Sequence, residues 1–332
     1  MTTPKRILAL SSHVAHGHVG LSAATPIWHA MGHEVMALAT VLLSNRPGYL
    51  NRGGTIIDPS VLRDMVDALE QNGWLSGVDA VALGYLPSPG HVAVARDAVR
   101  RVRGASPQAR VLVDPVLGDD HTGLYIDEAA ARAIAVDLLE CADVVTPNAF
   151  EACWLASALE ATGADGKPCP ISDVGDVQNV ARRLGVPAVV VTSVLSRDDG
   201  RVMHNVLVEA DQAVAYGVAK RAGVHHGLGD LFAALVIGHA VRSAADRDLE
   251  RSQTEGARAQ SEGGPYAEPR FREPPSREPR FRVPTSGWRH AVARAVAGVD
   301  VIVAHSAGAP EPVLIPHLAA CISAGPASGE PV

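Results

Sequence analysis

The sequence predicts an α/β fold in which a central, mostly parallel β-sheet is flanked by helices. From Arg6 to about Ala244, short β-branched or leucine-rich runs alternate with amphipathic segments of helix length, a pattern typical of this class. Hydrophobic residues make up 47% of the 332 residues, which is enough for a sizeable core. Because many functions share this class of fold, the residues that follow the strands must indicate the chemistry.

Six short apolar runs bounded by turn residues are the candidate strands of this sheet. They are Ile7–Leu10, Val35–Leu38, Ala80–Leu83, Arg110–Val113, Val144–Thr146 and Ala188–Thr192. The segment Pro59–Gln71 is predicted to be a helix, because its apolar residues recur on one face after a Pro59-Ser60 start. The runs Val202–Val208 and Gln212–Tyr216 are predicted to pair antiparallel, since the loop between them is too short for a crossover.

The segment over residues 247–286 differs from the rest of the chain. It contains almost no aliphatic residues and a near-repeat of Glu-Pro-Arg-Phe-Arg, and its prolines disfavour a helix. We expect a disordered insertion between a main domain over residues 1–246 and helices over residues 287–325 that complete the same domain. A basic docking strip is the alternative, although acidic residues alternate with its arginines.

Composition and charge limit the classes of partner. The net charge of −7 and the pI near 6.0 argue against nucleic acid or an anionic membrane as the main partner. The apolar runs reach about a dozen residues, short of the roughly 20 that span a bilayer, and no signal-peptide pattern follows Met1. The four cysteines form no metal-binding or disulfide pattern. We therefore expect a soluble cytoplasmic protein.

The segment His226-Gly227-Leu228-Gly229-Asp230 precedes the apolar run Leu231–Ile237 and is the strongest local signal. Its two glycines allow the backbone to turn its N–H groups inward, and a following helix would direct unpaired amides to the same point. A phosphate would be stabilised there, and Asp230 could accept a proton from a hydroxyl that attacks it. This arrangement indicates phosphoryl transfer. The alternative is an ordinary glycine turn with Asp230 as a helix N-cap.

Further polar residues and glycines follow the other predicted strands. In open parallel sheets, ligands bind beyond the carboxyl ends of the strands. Each of these residues could instead serve as a turn residue or a helix cap, but all belong to one edge of the predicted sheet. They are Ser11-Ser12-His13, Gly17-His18-Val19-Gly20, Gly84-Tyr85-Leu86, Asp114-Pro115-Val116-Leu117-Gly118-Asp119, Pro147-Asn148-Ala149-Phe150-Glu151 and Ser193.

This combination of motifs resembles the pyridoxal kinases of the ribokinase superfamily. The matching residues are Ser12-His13-Val14, Gly17-His18-Val19-Gly20, Ser22-Ala23-Ala24, Ser44-Asn45, Gly84-Tyr85-Leu86, Asp114-Pro115-Val116 with Gly118, Pro147-Asn148 with Glu151, and Gly227-Leu228-Gly229-Asp230. The resemblance covers residues 6–243 and the helices after the insertion. It implies a ribokinase-like fold and ATP-dependent phosphorylation of the 5′-hydroxyl of pyridoxal, pyridoxine or pyridoxamine in vitamin B6 salvage.

The resemblance also implies roles for individual residues. Asp230 would be the general base, and the amides of Gly227, Leu228 and Gly229 would help to bind the transferred phosphoryl group. The vitamer would contact Ser12, Val19, Pro47, Gly48, Tyr85 and Asp230. The nucleotide side would comprise Asp114, Thr146, Asn148, Glu151, Thr192 and Ser193, with Asp114 and Glu151 also binding Mg²⁺. The stretch over residues 118–125 would be a lid that excludes water, and the protein would form a homodimer as family members commonly do.

Structural roles remain open for three of these residues. Asp114 could be a strand-end turn residue, Glu151 a helix first-turn acid, and Tyr85 a core residue with its hydroxyl satisfied.

The chain departs from the family pattern at several positions. Leu21 replaces an asparagine, His16 replaces a tyrosine or arginine, and Arg46-Pro47-Gly48 replaces a histidine followed by polar residues. Thr192 or Ser193 stands where some members have a lysine near the nucleotide phosphates. Two alternatives therefore remain. One is a sister kinase for a hydroxymethylpyrimidine or a sugar, and the other is a non-catalytic protein that binds vitamer or nucleotide.

Overall fold

The computed structural model describes residues 4–160, 171–195, 201–210, 212–221, 226–242, 286–306, 312 and 314–332. Within these ranges a ten-stranded sheet has helices on both faces, so the predicted α/β class is confirmed. The insertion predicted over residues 247–286 lies, apart from Ser286, outside the described residues, and the domain boundaries stay a prediction. No helix within the described ranges is both long enough and apolar enough to cross a bilayer.

The elements are numbered in chain order. The strands are β1 (Arg6–His16), β2 (Glu34–Asn45), β3 (Gly54–Ile56), β4 (Ala80–Leu83), β5 (Arg110–Val113), β6 (Gly118–Asp119), β7 (Gly123–Leu124), β8 (Val144–Val145), β9 (Ala188–Leu195), β10 (Val202–Glu209), β11 (Gln212–Ala219) and β12 (Glu330–Pro331). The helices are α1 (Leu21–Ala30), α2 (Pro59–Gln71), α3 (Pro89–Ala105), α4 (Glu128–Ala133), α5 (Ala149–Glu160), α6 (Val174–Leu184), α7 (residues 228–242), α8 (Ser286–His305) and α9 (Leu318–Ser323). Single short helical turns cover Ile134–Leu138, Leu139–Cys141 and Ile315–His317.

The strand order creates a crevice beside β1. The order is β12-β11-β10-β9-β8-β5-β4-β1-β2-β3, in which β2, β1, β4, β5, β8 and β9 pair parallel with one another and the other four strands pair antiparallel with their neighbours. The chain first adds β2 on one side of β1 and then β4 on the other. Such a reversal of strand order is where open α/β sheets bind their ligands, beyond the carboxyl ends of the strands.

All six candidate parallel strands are confirmed, but three continue further than their apolar runs. β1 extends to His16, β2 to Asn45 and β9 to Leu195, so that Ser12 and Ser193 lie within strands and not after them. β4 pairs with β1 only as far as Leu10. The last residues of β1 and β2 therefore project beyond the sheet, where alternate side chains reach water and the apolar pattern fades.

The predicted helix over Pro59–Gln71 is confirmed as α2, with its N-cap one residue before the predicted start. The Asp58 carboxylate accepts a hydrogen bond from the backbone N–H of Ser60 at 2.8 Å, and Leu62 and Val66 lie buried on one face. β10 and β11 pair antiparallel from end to end, as predicted. The two- and three-residue strands β3, β6, β7 and β12 carry too few residues to give a periodic signal.

Side-chain alternation along β1 divides the core between the two faces of the sheet. Leu8 and Leu10 pack on the face covered by α2 to α6, whereas Ile7 and Ala9 pack on the face covered by α1, α7, α8 and α9. The indole N–H of Trp28 on α1 donates to the carbonyl of Ala234 on α7 at 2.9 Å. This contact fixes α7, which carries the glycine turn, against the start of the chain.

Candidate active site

A cavity lies at the crevice between β1 and β4. It brings together the side chains of Asp114, which follows β5, and Asp230, which lies on α7, although 116 residues separate them along the chain. The cavity is lined by Ala9, Ser11, Gly20, Leu21, Ala24, Trp28, Ala82, Leu83, Gly84, Leu112, Asp114, Asp230, Ala233 and Ala234. Two carboxyl groups and two glycines therefore meet at the point where the strand order reverses.

The glycine turn has the geometry that only glycine allows. Gly227 has φ +88°, and a Cβ on this residue would lie 1.9 Å from the carbonyl oxygen of His18. α7 begins at Leu228, and the N–H of Leu231 donates to the carbonyl of Gly227 at 2.9 Å. The alternative that Asp230 is the N-cap is therefore wrong, because Asp230 lies within the first turn. The first amides of α7 have no partner within the helix and can bind an anion.

The carboxylate of Asp230 contacts the loop that follows β1. Burial raises the pKa of Asp230 to about 6, and the backbone N–H of Gly20 partly opposes this rise by bonding to the carboxylate. Gly20 has φ +54°, and a Cβ there would lie 2.2 Å from the carbonyl oxygen of Ser12. A methyl group of Val19 lies beside Gly227. The loop thus brings Ser12, Val19 and Asp230 into one group.

Tyr85 is held at the opposite wall of the crevice by its backbone. Its N–H donates to Ser11 Oγ at 3.1 Å, and its carbonyl accepts from Thr40 Oγ1 at 2.7 Å. Thr40 is the extra residue of a bulge in β2, between the pairs Ser11–Ala39 and Ser12–Val41. The ring is half-buried, and burial raises the pKa of the Tyr85 hydroxyl. Sequence reasoning missed Thr40, whose only signal is a hydroxyl within an apolar run.

Two residues predicted to contact the vitamer are exposed. Pro47 and Gly48 lie in the loop between β2 and β3, and Gly48 has φ +105°. The guanidinium of Arg46 stacks 5.0 Å from the ring centroid of Tyr49 and donates to the carbonyl of Pro47 at 3.1 Å. Their exposure distinguishes Pro47 and Gly48 from the other predicted vitamer residues.

Asp114 is a buried carboxyl group surrounded by other acids. Only 8% of its surface is exposed, and Oδ1 accepts a hydrogen bond from Thr146 Oγ1 at 2.9 Å. Burial raises the pKa of Asp114 well above its usual value, and the charges of Asp230 and Glu151 raise it further. Such a group favours a proton or a cation beside it.

Glu151, in the first turn of α5, is bonded on both carboxylate oxygens. Oε1 accepts the backbone N–H groups of Leu117 at 2.9 Å and Gly118 at 3.3 Å, and Oε2 accepts that of Asn148 at 2.8 Å. In return, Asn148 Oδ1 accepts the N–H of Glu151 at 2.9 Å, which completes a capping box. Burial raises the pKa of Glu151 to about 7 although these amides lower it. Glu151 is thus a helix first-turn acid with long-range partners.

The carboxyl groups allow a test of whether Mg²⁺ fits. Mg²⁺ in phosphoryl-transfer sites is held by one or two carboxylates together with waters and substrate phosphates. Asp114 keeps Oδ2 for such a role, whereas both oxygens of Glu151 already accept backbone hydrogen bonds. Across the ranges the structure covers, no cluster of three or more His, Cys, Asp or Glu side chains is arranged to hold a metal ion. The residues fit a water-rich Mg²⁺ site that depends mainly on Asp114.

The residues predicted for the nucleotide lie together at the ends of β8 and β9. The N–H of Thr192 donates to the carbonyl of Pro147 at 2.8 Å, and Asn148 forms a bridge with Thr192. Between the pairs Val191–Val206 and Val194–His204, Thr192 and Ser193 stand opposite the single residue Asn205. Ser193 has φ +62° in this bulge, which is uncommon for a residue other than glycine. Backbone strain of this kind concentrates at functional sites.

The stretch expected to be a lid forms a small hairpin from β6 and β7. The hydroxyl of Tyr125 donates to the carboxylate of Asp119, which also accepts the N–H groups of His121 and Thr122 at 2.9 and 2.7 Å. A Cβ on Gly118 would lie 2.0 Å from the carbonyl oxygen of Gly123, so the two strands need glycine at this point. The hairpin begins only four residues after Asp114.

Comparisons with known proteins cover most of the chain. Residues 20–253 match the family described as phosphomethylpyrimidine kinase. A curated pyridoxal kinase from Corynebacterium diphtheriae is 34% identical over 256 residues, which cover 72% of this chain and 83% of the relative. One from Leifsonia xyli is 34% identical over 239 residues, covering 72% and 82%. The pyridoxal kinase of Leishmania donovani, solved with ADP and pyridoxamine, has a TM-score of 0.77 and 25% identity over 98% of this chain and 99% of that chain.

Proposed function

Since this chain belongs to the pyridoxal kinase family, we propose that it transfers the γ-phosphoryl group of ATP to the 5′-hydroxyl of pyridoxal in vitamin B6 salvage. The product would be pyridoxal 5′-phosphate. The observation that carries this proposal is the meeting of Asp230 and Asp114 at one cavity, with the glycine turn directly before Asp230. A base, a cation-binding carboxylate and an anion-binding helix end are the parts that phosphoryl transfer requires.

In the proposed reaction, Asp230 accepts the proton of the attacking hydroxyl. With a pKa of about 6, the Asp230 carboxylate is mostly ionised at neutral pH yet remains basic enough to take a proton. The amides of Gly227, Leu228, Gly229 and Asp230 would stabilise the charge of the phosphoryl group in transfer. Because the transferring group needs little covalent assistance, the residues contribute mostly by positioning and charge neutralisation.

The vitamer would bind between the loop after β1 and the wall formed by Tyr85. Ser12 would bond to a polar edge of the pyridine ring, Val19 would contact the ring beside the phosphoryl site, and Tyr85 would pack against the ring face. The exposed loop that contains Pro47 and Gly48 would close over the vitamer and exclude water. This role fits the position of the loop at the projecting ends of β1 and β2.

ATP would bind along the ends of β8 and β9. Thr146, Asn148, Thr192 and Ser193 would contact its phosphates and ribose, in keeping with their grouping around the β9 bulge. When bound, Mg²⁺ would neutralise the charge of the phosphates. Asp114 would hold it directly, and Glu151 would reach it through water because its oxygens are engaged.

Purified protein tests this proposal with a panel of acceptors. Pyridoxal, pyridoxine, pyridoxamine and hydroxymethylpyrimidine would each be incubated with ATP and Mg²⁺, with ADP release and the phosphorylated product both measured. We expect turnover of pyridoxal above that of hydroxymethylpyrimidine. The second candidate is a hydroxymethylpyrimidine kinase, which would be supported by the reverse ranking; the matching family is described as phosphomethylpyrimidine kinase, which acts on a pyrimidine of the same class. Binding of vitamers without turnover of any would instead support a non-catalytic binding protein.

We also propose a homodimer in the cytoplasm. Large apolar side chains are exposed at Leu50 in the β2–β3 loop and at Ile56 on the edge strand β3, and burial against a second copy would remove them from water. Within the described residues the cysteines are free thiols, as expected in a reducing compartment. Light scattering of the purified protein tests the dimer, and a monomeric mass would contradict it.

A further inference from the structure

The carboxylate of Glu151 makes a long-range connection that its place in a helix first turn does not require. Two of its three hydrogen bonds go to the backbone of Leu117 and Gly118, which are more than 30 residues earlier in the chain. Only 5% of the residue surface is exposed. A buried carboxylate that accepts backbone N–H groups holds them strongly, since losing it would leave those donors unsatisfied.

Asn148 binds the other backbone polar group of the same residue, Gly118. Its side-chain Nδ2 donates to the carbonyl of Gly118 at 2.8 Å, while the N–H of Gly118 donates to Glu151. Asn148 and Glu151 are themselves joined by reciprocal hydrogen bonds. Gly118 is therefore fixed at both its donor and its acceptor.

The residues that are fixed form the base of the β6–β7 hairpin. Gly118 begins β6, and the N–H of Tyr125, which follows β7, donates to the carbonyl of Leu117 at 2.6 Å. Both ends of the hairpin thus meet at Leu117 and Gly118. The turn that holds them also contacts β9, where the N–H of Thr192 donates to Pro147. The hairpin is connected in this way to the bulge at the predicted nucleotide site.

We propose that Glu151 is a positioning residue, which acts on the reaction by fixing the base of the hairpin beside the nucleotide and not as a direct ligand of Mg²⁺. The inference rests on the proposed kinase function. A hairpin held at this point would keep water away from the phosphates until the vitamer hydroxyl attacks. Release of the hairpin would therefore favour hydrolysis of ATP over transfer of its γ-phosphoryl group to the vitamer.

The test compares Glu151→Gln with Asp114→Asn. Glutamine keeps the size of Glu151 but replaces one acceptor oxygen with a donor that faces backbone N–H groups, whereas Asp114→Asn leaves the hairpin bonds unchanged. We expect Glu151→Gln to speed amide hydrogen exchange over residues 117–125 by about tenfold. We also expect it to raise vitamer-independent ATP hydrolysis relative to vitamer phosphorylation, with the Mg²⁺ concentration at half-maximal rate changed less than about twofold. Asp114→Asn should raise that concentration by about tenfold and leave exchange over residues 117–125 unchanged.

A second variant provides an independent test if Glu151→Gln does not fold. Asn148→Ala removes the bond to the carbonyl of Gly118 without altering either carboxylate, and it should also speed exchange over residues 117–125. If Glu151 binds Mg²⁺ directly, Glu151→Gln should raise the Mg²⁺ concentration at half-maximal rate about tenfold. Amide hydrogen exchange over residues 117–125 should then be unchanged in both Glu151→Gln and Asn148→Ala. This result would overturn the inference. Absence of turnover by the parent protein on every acceptor would reject the proposed function, whereas hydrogen exchange would still decide whether Glu151 holds the hairpin.

Discussion

Replacement of Gly227 by alanine is expected to destabilise the fold and to stop catalysis. A Cβ at this position would lie 1.9 Å from the carbonyl oxygen of His18. Since Cβ atoms do not approach other heavy atoms closer than 3.0 Å, the loop after β1 and the start of α7 must separate by at least 3.0 − 1.9 = 1.1 Å. The variant must also adopt φ +88°, which disfavours a residue with a Cβ.

The position of Gly227 gives the expected loss of stability and of kcat. Left-handed backbone costs about 1–2 kcal/mol for alanine, and forcing an extra carbon into a packed site costs about 1–3 kcal/mol. The free energy of unfolding should therefore fall by about 2–5 kcal/mol. A displacement of about 1 Å between the base and the anion-binding amides should also reduce kcat by about a hundredfold.

Chemical denaturation and steady-state phosphorylation of pyridoxal would measure these effects. Gly229→Ala is the matched control, because a Cβ at Gly229 would meet no atom within 4 Å and alanine favours helix. The control should stay within about 1 kcal/mol of the parent in stability, so it separates the cost of a positive φ at Gly227 from the cost of alanine in this segment. If Gly227→Ala has the same free energy of unfolding as Gly229→Ala, the reasoning about the turn is refuted.

Three further predictions follow from the hydrogen bonds and the pKa values. The kcat for pyridoxal should rise as the pH increases through about 6, because Asp230 accepts a proton only when ionised and its pKa is about 6; a flat profile in this range would contradict its role as base. Thr146→Val should raise the Mg²⁺ concentration at half-maximal rate about tenfold by removing the donor that stabilises ionised Asp114, and Thr146→Ser should restore the parent value, as a Mg²⁺ titration would reveal. Asp58→Ala should lower the free energy of unfolding by about 1 kcal/mol by removing the N-cap of α2, without a change in KM; an unchanged denaturation curve would count against this cap.

Local sequence patterns were sufficient for the short buried elements. β4 and β5 have the predicted bounds because β4 is a fully buried apolar run and β5 is a fully buried run that is apolar after Arg110. The motifs at strand ends also indicated one edge of the sheet, and the cavity joins Asp114 and Asp230 there. Parallel strands present their carboxyl ends together, so the order of the motifs along the chain carried three-dimensional information.

Features that depend on distant partners could not be predicted. Ser193 adopts a positive φ because β9 bulges against β10, and nothing in the residue type indicates this conformation. The carboxylate of Glu151 has partners at Leu117 and Gly118 that no local spacing predicts. Thr40 supports Tyr85 only because a bulge in β2 turns its hydroxyl to the β4 loop. In each case the pairing of separate segments decides the role of the residue.

The most direct test of the central claim is the rate of pyridoxal 5′-phosphate formation by Asp230→Asn with saturating ATP and Mg²⁺. Asp64→Asn, which alters an exposed carboxylate on α2, is the control and should match the parent. If Asp230 is the general base, kcat should fall by at least about a hundredfold while the KM for ATP changes little, because the proposed nucleotide site lies at the ends of β8 and β9. A kcat for Asp230→Asn equal to that of Asp64→Asn would contradict the assignment of Asp230 as the base.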